Sequence, residues 1–329
     1  MRSLRRGRWF GALTVALAGL ALGARLSAAP SPPPKEVRRL PTGSASAASS
    51  GAGAPAVPGA PAVSGSAAPG SDGGASKMAA RRGCPPEMQQ VGWSCVDRWE
   101  LATVDREGRP LSPYYPPDFR RLIQIRKIWE VELSRTGPAR ARSLPLPALP
   151  PWQREPFEAV AVSRPGVVPQ GYMTYFMAKS ACERAGKRLC REEEWDRACR
   201  GASRTQFPYG ENYVAGACNV FRSFHPAAVL HGDASSGHRD PRLNLLMEAG
   251  TDPGLRDTGA TPACVSRFPG GALYDLVGNL DEWVEDPKGQ FRGGFYARNT
   301  RQGCDAKVKS HPPSYFDYST GARCCQDAR

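Results

Sequence analysis

The side chains with the most chemistry to offer in this 329-residue chain are ten cysteines: Cys84, Cys95, Cys182, Cys190, Cys199, Cys218, Cys264, Cys304, Cys324 and Cys325. Their number is even and no pair has the Cys-x-x-Cys spacing of a thiolate zinc site, so disulfides are the first expectation and a metal cluster the second. Two histidines and two aspartates fall within ten residues, at His231, Asp233, His238 and Asp240. Those types suit a transition metal, although the irregular spacing favours a polar loop. Glu192, Glu193 and Glu194 have acid/base chemistry, but three carboxylates at the head of a helix are first of all partners of its dipole. No Gly-x-Ser-x-Gly elbow supports a serine hydrolase.

These residues need a folded body, and composition places it. The chain carries 44 Lys plus Arg against 31 Asp plus Glu, a formal charge of +13. Residues 1–83 hold 11 basic and 2 acidic side chains and no cysteine, so most of the excess lies there. Residues 1–29 have the form of an export signal. Arg2, Arg5, Arg6 and Arg8 precede an apolar stretch from Trp9 to Ala24, and small residues follow at Ser27-Ala28-Ala29. If uncleaved, the same segment would act as a membrane tether. Residues 30–83 form a disordered linker, since 41–76 are almost entirely Pro, Gly, Ala and Ser and cannot bury enough apolar surface to offset their ordering entropy. The expected location is periplasm, cell surface or secreted. No later apolar run is long enough for a transmembrane bundle, and no motif points to nucleic acid.

The folded domain is expected over residues 84–329. Cys84 to Glu100 predicts a strand pair turning at Gly92. Phe119, Leu122, Ile123, Ile125, Ile128, Trp129, Val131 and Leu133 recur at helical spacing behind Pro116-Pro117, with Arg120, Arg121, Arg126 and Lys127 on the solvated face. Residues 136–156 are Pro-rich and predict an extended insertion. Helices are predicted over Thr174–Ala185, closed by Gly186, and over Glu192–Arg200, closed by Gly201.

The segment Gly186-Lys-Arg-Leu-Cys-Arg-Glu-Glu-Glu-Trp195 resembles the formylglycine-generating (sulfatase-modifying factor) family. The likeness continues in Phe207-Pro-Tyr-Gly210, Cys218-Asn-Val220, Gly271 to Val284, Phe291-Arg-Gly-Gly294 and Gly321-Ala-Arg-Cys324. It is weakest over 105–155 and 223–258. The resemblance implies an α+β, irregular, C-type-lectin-like fold with little regular secondary structure, held by calcium and disulfides.

Formylglycine-generating members oxidise a substrate cysteine with oxygen and copper held by two cysteines after the Gly-Gly motif. Here Arg298 stands at the first of those positions. Its guanidinium stays protonated and has no lone pair to give. Cys304 falls one residue beyond the second. The resemblance therefore implies a domain without copper chemistry, acting as a binding or accessory module; the alternative is an oxidoreductase or related protein-modifying enzyme with a diverged active site. It also implies disulfides Cys182–Cys324 and Cys199–Cys304. The remaining cysteines suggest Cys84–Cys95, with Cys190–Cys325 and Cys218–Cys264 assigned by elimination. A structural calcium site is implied at Asp275, Gly278, Leu280 and Glu282, and part of another at Asn219 and Val220. The family's substrate groove corresponds to Arg298, Tyr296 and Trp283, where an arginine would hold an anionic group. The expected partner is thus an unidentified protein or a small anionic ligand.

Overall fold

A computed structural model describes residues 83–132, 138–298 and 300–328. The chain divides into two units, residues 1–73 and 74–329, and the described residues belong to the second. The export signal expected at 1–29 lies outside the described residues, as does the linker apart from Gly83.

The strand Cys324–Asp327 lies inside the first of the domain's two four-stranded sheets. Strands Met88–Val91 and Ser94–Asp97 form an antiparallel hairpin turning at Gly92, whose φ of 62° favours glycine. Strand Cys324–Asp327 pairs with the second arm of the hairpin, and Arg188–Leu189 pairs with Cys324–Asp327 to complete a four-stranded sheet. A second four-stranded sheet runs in the order Lys307–Val308, Phe291–Arg292, Asp281–Trp283, Thr320–Ala322, and its last pair is parallel. Three two-stranded ribbons and short helices surround them. The result is a mixed α+β fold with modest, irregular secondary structure.

Five disulfides close it: Cys84–Cys95, Cys182–Cys324, Cys190–Cys325, Cys199–Cys304 and Cys218–Cys264. Adjacent strand residues point to opposite faces, and Cys324 and Cys325 use that alternation. Cys324 reaches Cys182 on helix Tyr175–Arg184, in a core with Leu101, Met173, Trp283 and Phe291. Cys325 reaches Cys190 in a separate core with Val96, Trp195 and Leu276. One strand thereby ties two apolar cores to the chain end. Closing loops of more than 100 residues, these bridges each restrict the unfolded chain by about 4–5 kcal/mol.

Helix Phe119–Lys127 starts where Pro116-Pro117 predict, with the Asp118 carboxylate accepting from the Arg121 N–H. It buries Leu122 and Ile125. The predicted helix does not continue regularly: from Ile128 to Glu132 it widens into a π-helical turn that carries the buried Trp129. The Pro-rich stretch 136–156, expected to be extended, contains a helix at Ala139–Ser143 and a 3-10 turn at Pro151–Arg154. Hydrogen bonds between side chains and backbone groups pin it to the rest of the fold. Arg242 donates to the carbonyls of Ala141 and Leu144, and buried Gln153 accepts from the Ser112 N–H.

In helix Glu192–Arg200 the leading carboxylates divide their roles. Glu194 is buried and accepts from the Arg191 N–H at 2.8 Å, closing the helix start. It also accepts from both Arg188 terminal nitrogens, at 2.7 and 2.8 Å, and from Ser94 at 2.6 Å. Burial alone would raise its pKa; the Arg188 and Ser94 hydrogen bonds outweigh it and hold the carboxyl down at about 2. A carboxyl depressed in the folded state stabilises above its unfolded pKa and loses that contribution as pH falls through the folded value. Glu194→Gln is therefore expected to lower stability at neutral pH by about 2–3 kcal/mol. It should also flatten the acid limb between roughly pH 4.5 and 2, as read from urea unfolding at a series of pH values.

Candidate functional site

The centre of the domain is a charged cluster with almost no solvent contact. Residues Tyr274 to Glu282 make a tight loop in which Asp275 (φ 59°), Gly278 (φ 83°) and Asn279 (φ 59°) are left-handed. Gly278 is required there, because a Cβ would lie 2.3 Å from the Asn219 carbonyl oxygen. Asn279 is fixed by its side chain, which donates to Glu100 Oε2 at 2.6 Å and accepts from the N–H of Arg256 and from Asn219 Nδ2. The loop delivers Glu282 to a fully buried Arg323. Its Nε and Nη2 lie 2.8–3.2 Å from the Glu282 carboxylate, while Nη1 and Nη2 donate to the carbonyls of Asp97 and Tyr274. Trp195 Nε1 donates to Glu282 Oε2 at 2.7 Å.

Three buried carboxylates, Glu100, Asp275 and Glu282, thus face this one guanidinium. Burial, with the neighbouring charges of Asp275 and Glu282, pushes Glu100 well above the usual carboxylate range. Burial pushes Asp275 up to about 6 against the pull of the Gly259 N–H and Arg323. Asp275 and Glu282, with the carbonyls of Gly278 and Leu280, are the oxygens expected from the sequence to hold calcium, and of these the Glu282 carboxylate accepts from Arg323 and Trp195. At the second expected site the Asn219 amide is engaged by protein groups. Asn219 Oδ1 accepts from Arg222 Nε at 2.8 Å, and its Nδ2 donates to Gly254 O and Asn279 Oδ1. Arg222 continues to Glu248 and Asp252, so an arginine already supplies the positive charge beside Asn219 and Val220.

The expected groove is only partly a surface. Trp283 is wholly buried and donates from Nε1 to the Met173 carbonyl; Tyr296 is wholly buried and donates its hydroxyl to Asn244 Oδ1. Both therefore belong to the core and line no groove, because their polar atoms are satisfied only from inside. Arg298 does reach solvent. Its Nη1 and Nη2 lie 3.0 and 2.7 Å from the carboxylate oxygens of buried Asp281, and its guanidinium stacks over Phe295. Burial raises Asp281 to about 7 despite Arg298. Cys304 is buried in its bridge to Cys199, and no described cysteine is free.

The four residues from 231 to 240 do not converge. His231 Nε2 lies 3.0 Å from Asp240 Oδ2, beside the Arg242 guanidinium on the same carboxylate. His238 instead faces His225 and Tyr318, and Asp233 accepts from Ser235. Among the described residues no three His, Cys, Asp or Glu side chains gather as a metal-binding group.

A family model described as "Sulfatase-modifying factor enzyme 1-like domain" matches residues 151–328, more than half of the chain. The chain belongs to that family. The formylglycine-generating enzyme of Bos taurus is 29% identical over 177 residues, covering 46% of this chain and 41% of that protein. The inactive C-alpha-formylglycine-generating enzyme 2 of Bos taurus is 28% identical over 117 residues, covering 35% and 32%. The chain thus spans less than half the length of these curated relatives. Among solved structures, CarF is 12% identical, covering 72% of this chain and 87% of its own, with a TM-score of 0.34. PvdO from Pseudomonas aeruginosa is 16% identical, covering 71% and 94%, with a TM-score of 0.31.

Sequence reasoning did not assign Glu100 and Arg323 to this centre, or Asp281 to Arg298 as its partner. The signals were present: Asp281-Glu282 interrupts an apolar run from Leu276 to Val284, and Arg323 stands between Ala322 and a cysteine pair. A charge in such a position must be paired or it does not stay buried. Arg323→Ala is expected to cost about 3–5 kcal/mol, because it leaves the buried carboxylates without their guanidinium. Denaturant unfolding of the oxidised domain measures this, and a loss below roughly 1 kcal/mol would refute the role given to Arg323.

Proposed function

We propose that this chain is an exported, non-catalytic member of its family: a binding or accessory module without copper-cysteine chemistry, on a scaffold related to C-type lectins. The observation that carries this reading is the state of the cysteines. All ten are bridged, and Cys304, nearest to the family's second copper position, is joined to Cys199. Copper(I) chemistry needs free thiolates as soft ligands, and a disulfide offers none. In this reading Arg298 replaces the first copper cysteine. It is held by Asp281 through two terminal nitrogens and is partly exposed, so its remaining N–H donors are available to an anionic group.

The same reading assigns a structural calcium ion to the loop centre, held by Asp275, Glu282 and the carbonyls of Gly278 and Leu280. Its charge would offset the carboxylates that Arg323 leaves unbalanced. Residues 1–29 serve as the export signal and 30–83 as the tether of the domain that follows, a compartment in which five disulfides persist.

Two measurements test these assignments. The denatured, unreduced protein should contain no titratable thiol, and the native protein incubated with Cu(I) should retain none after desalting. Copper at one equivalent, or formylglycine produced in a cysteine peptide, would instead establish the diverged oxidoreductase. Calcium added after chelation should raise the unfolding midpoint, by about 2.7 kcal/mol in stability at a hundredfold excess over its Kd. Asp275→Asn should weaken that response, and an unchanged midpoint would remove calcium from the site.

A further inference from the structure

The two stretches least like the family pattern, 105–155 and 223–258, meet in space. Arg242 from the second donates to the Ala141 and Leu144 carbonyls of the first, and its guanidinium lies over Trp129 at 5.5 Å. Trp129 also packs at 5.3 Å from the His231 ring, and Ile125, Trp129 and Ala141 share a core with Leu230, Leu243 and Leu255. Where they meet is an open cleft of about 380 Å³, lined by Ile125, Ile128, Trp129, His238, Arg239 and Phe316 among others.

Two features of this cleft call for the same kind of ligand. Its walls are largely apolar, and its volume falls within the range of small-molecule sites, roughly 300–1,000 Å³. The guanidiniums of Arg121 and Arg239 both lie over the Phe316 ring, at 5.1 and 4.6 Å from its centroid. Arg242 close by is paired with Asp240; among the described residues no carboxylate lies within ion-pair range of Arg121 or Arg239. Cation–π contact orients a guanidinium without neutralising it and leaves its edge donors free. A small neutral apolar ligand would ignore the Arg239 charge at the cleft wall, and a sugar or free phosphate would leave the apolar wall wet.

We propose that this cleft binds a small aromatic carboxylate, with its ring against Ile125, Ile128 and Trp129 and its carboxylate on Arg239. Neither Asp281 nor Arg298 lines the cleft, and the proposal does not depend on the role proposed for Arg298.

Calorimetric titration of the full-length oxidised protein with naphthoate, with naphthylmethanol as its neutral counterpart, and with acetate tests the assignment. Naphthoate should bind at one equivalent, and more tightly than either control. Arg239→Ala should weaken naphthoate by about 10- to 100-fold, the range of one charge-assisted hydrogen bond, and leave naphthylmethanol unchanged. Arg239→Lys should restore most of the affinity. Arg239 is exposed, so its variants should keep the unfolding midpoint. Arg298→Ala should leave naphthoate binding intact, which separates this cleft from the anion role of Arg298. Absence of naphthoate binding to the unmodified protein, equal binding of naphthylmethanol, or full affinity in Arg239→Ala would each overturn the proposal.

Discussion

The domain depends on one buried ion pair. Arg323 has no solvent contact, yet it uses its N–H groups on the Glu282 carboxylate and on the carbonyls of Asp97 and Tyr274. Those partners belong to the N-terminal hairpin, a two-stranded ribbon and the second sheet, and Trp195 brings a helix to the same carboxylate. A guanidinium has enough donors in fixed directions to hold several elements at once. It can remain charged in the interior only while all of them stay in place.

The disulfides act on the same point from outside. Arg323 is followed at once by Cys324 and Cys325, whose bridges run to opposite faces of their strand and into separate cores. With modest regular secondary structure, the fold lacks the long hydrogen-bonded ladders that set register in larger sheets. Covalent closure of long loops and one shared buried charge supply that constraint instead.

Function follows from what these constraints leave free. Bridging Cys304 to Cys199 removes the thiol nearest the family's copper position, and burying Trp283 and Tyr296 removes two residues expected to line a groove. Three arginines bear on the readings proposed above. Arg298 is partly exposed beside Asp281, while Arg121 and Arg239 lie over Phe316 between the two divergent stretches. Recognition of anions is the chemistry that these arginines favour.

Much of this was legible in the sequence. The hairpin at Gly92, the helices behind Thr174 and Arg191, and an even set of bridged cysteines follow from turn residues, caps and cysteine number, signals that do not depend on distant contacts. The family could be recognised from ordered motifs. The π-helical turn at Ile128–Glu132 and the helical part of the Pro-rich insertion were not legible, because contacts across the fold override local propensity there. The sequence flagged Asp281, Glu282 and Arg323 as charges set among apolar residues and cysteines, but it did not pair them. Arg323 and Arg298 are the same residue type six residues or fewer from a cysteine, but one is sealed in the centre and the other meets solvent. Sequence alone determined the family, the cysteine inventory and the local elements. The tertiary structure decided which carboxylate faces which guanidinium, because desolvation depends on everything packed around a charge and not on its neighbours along the chain.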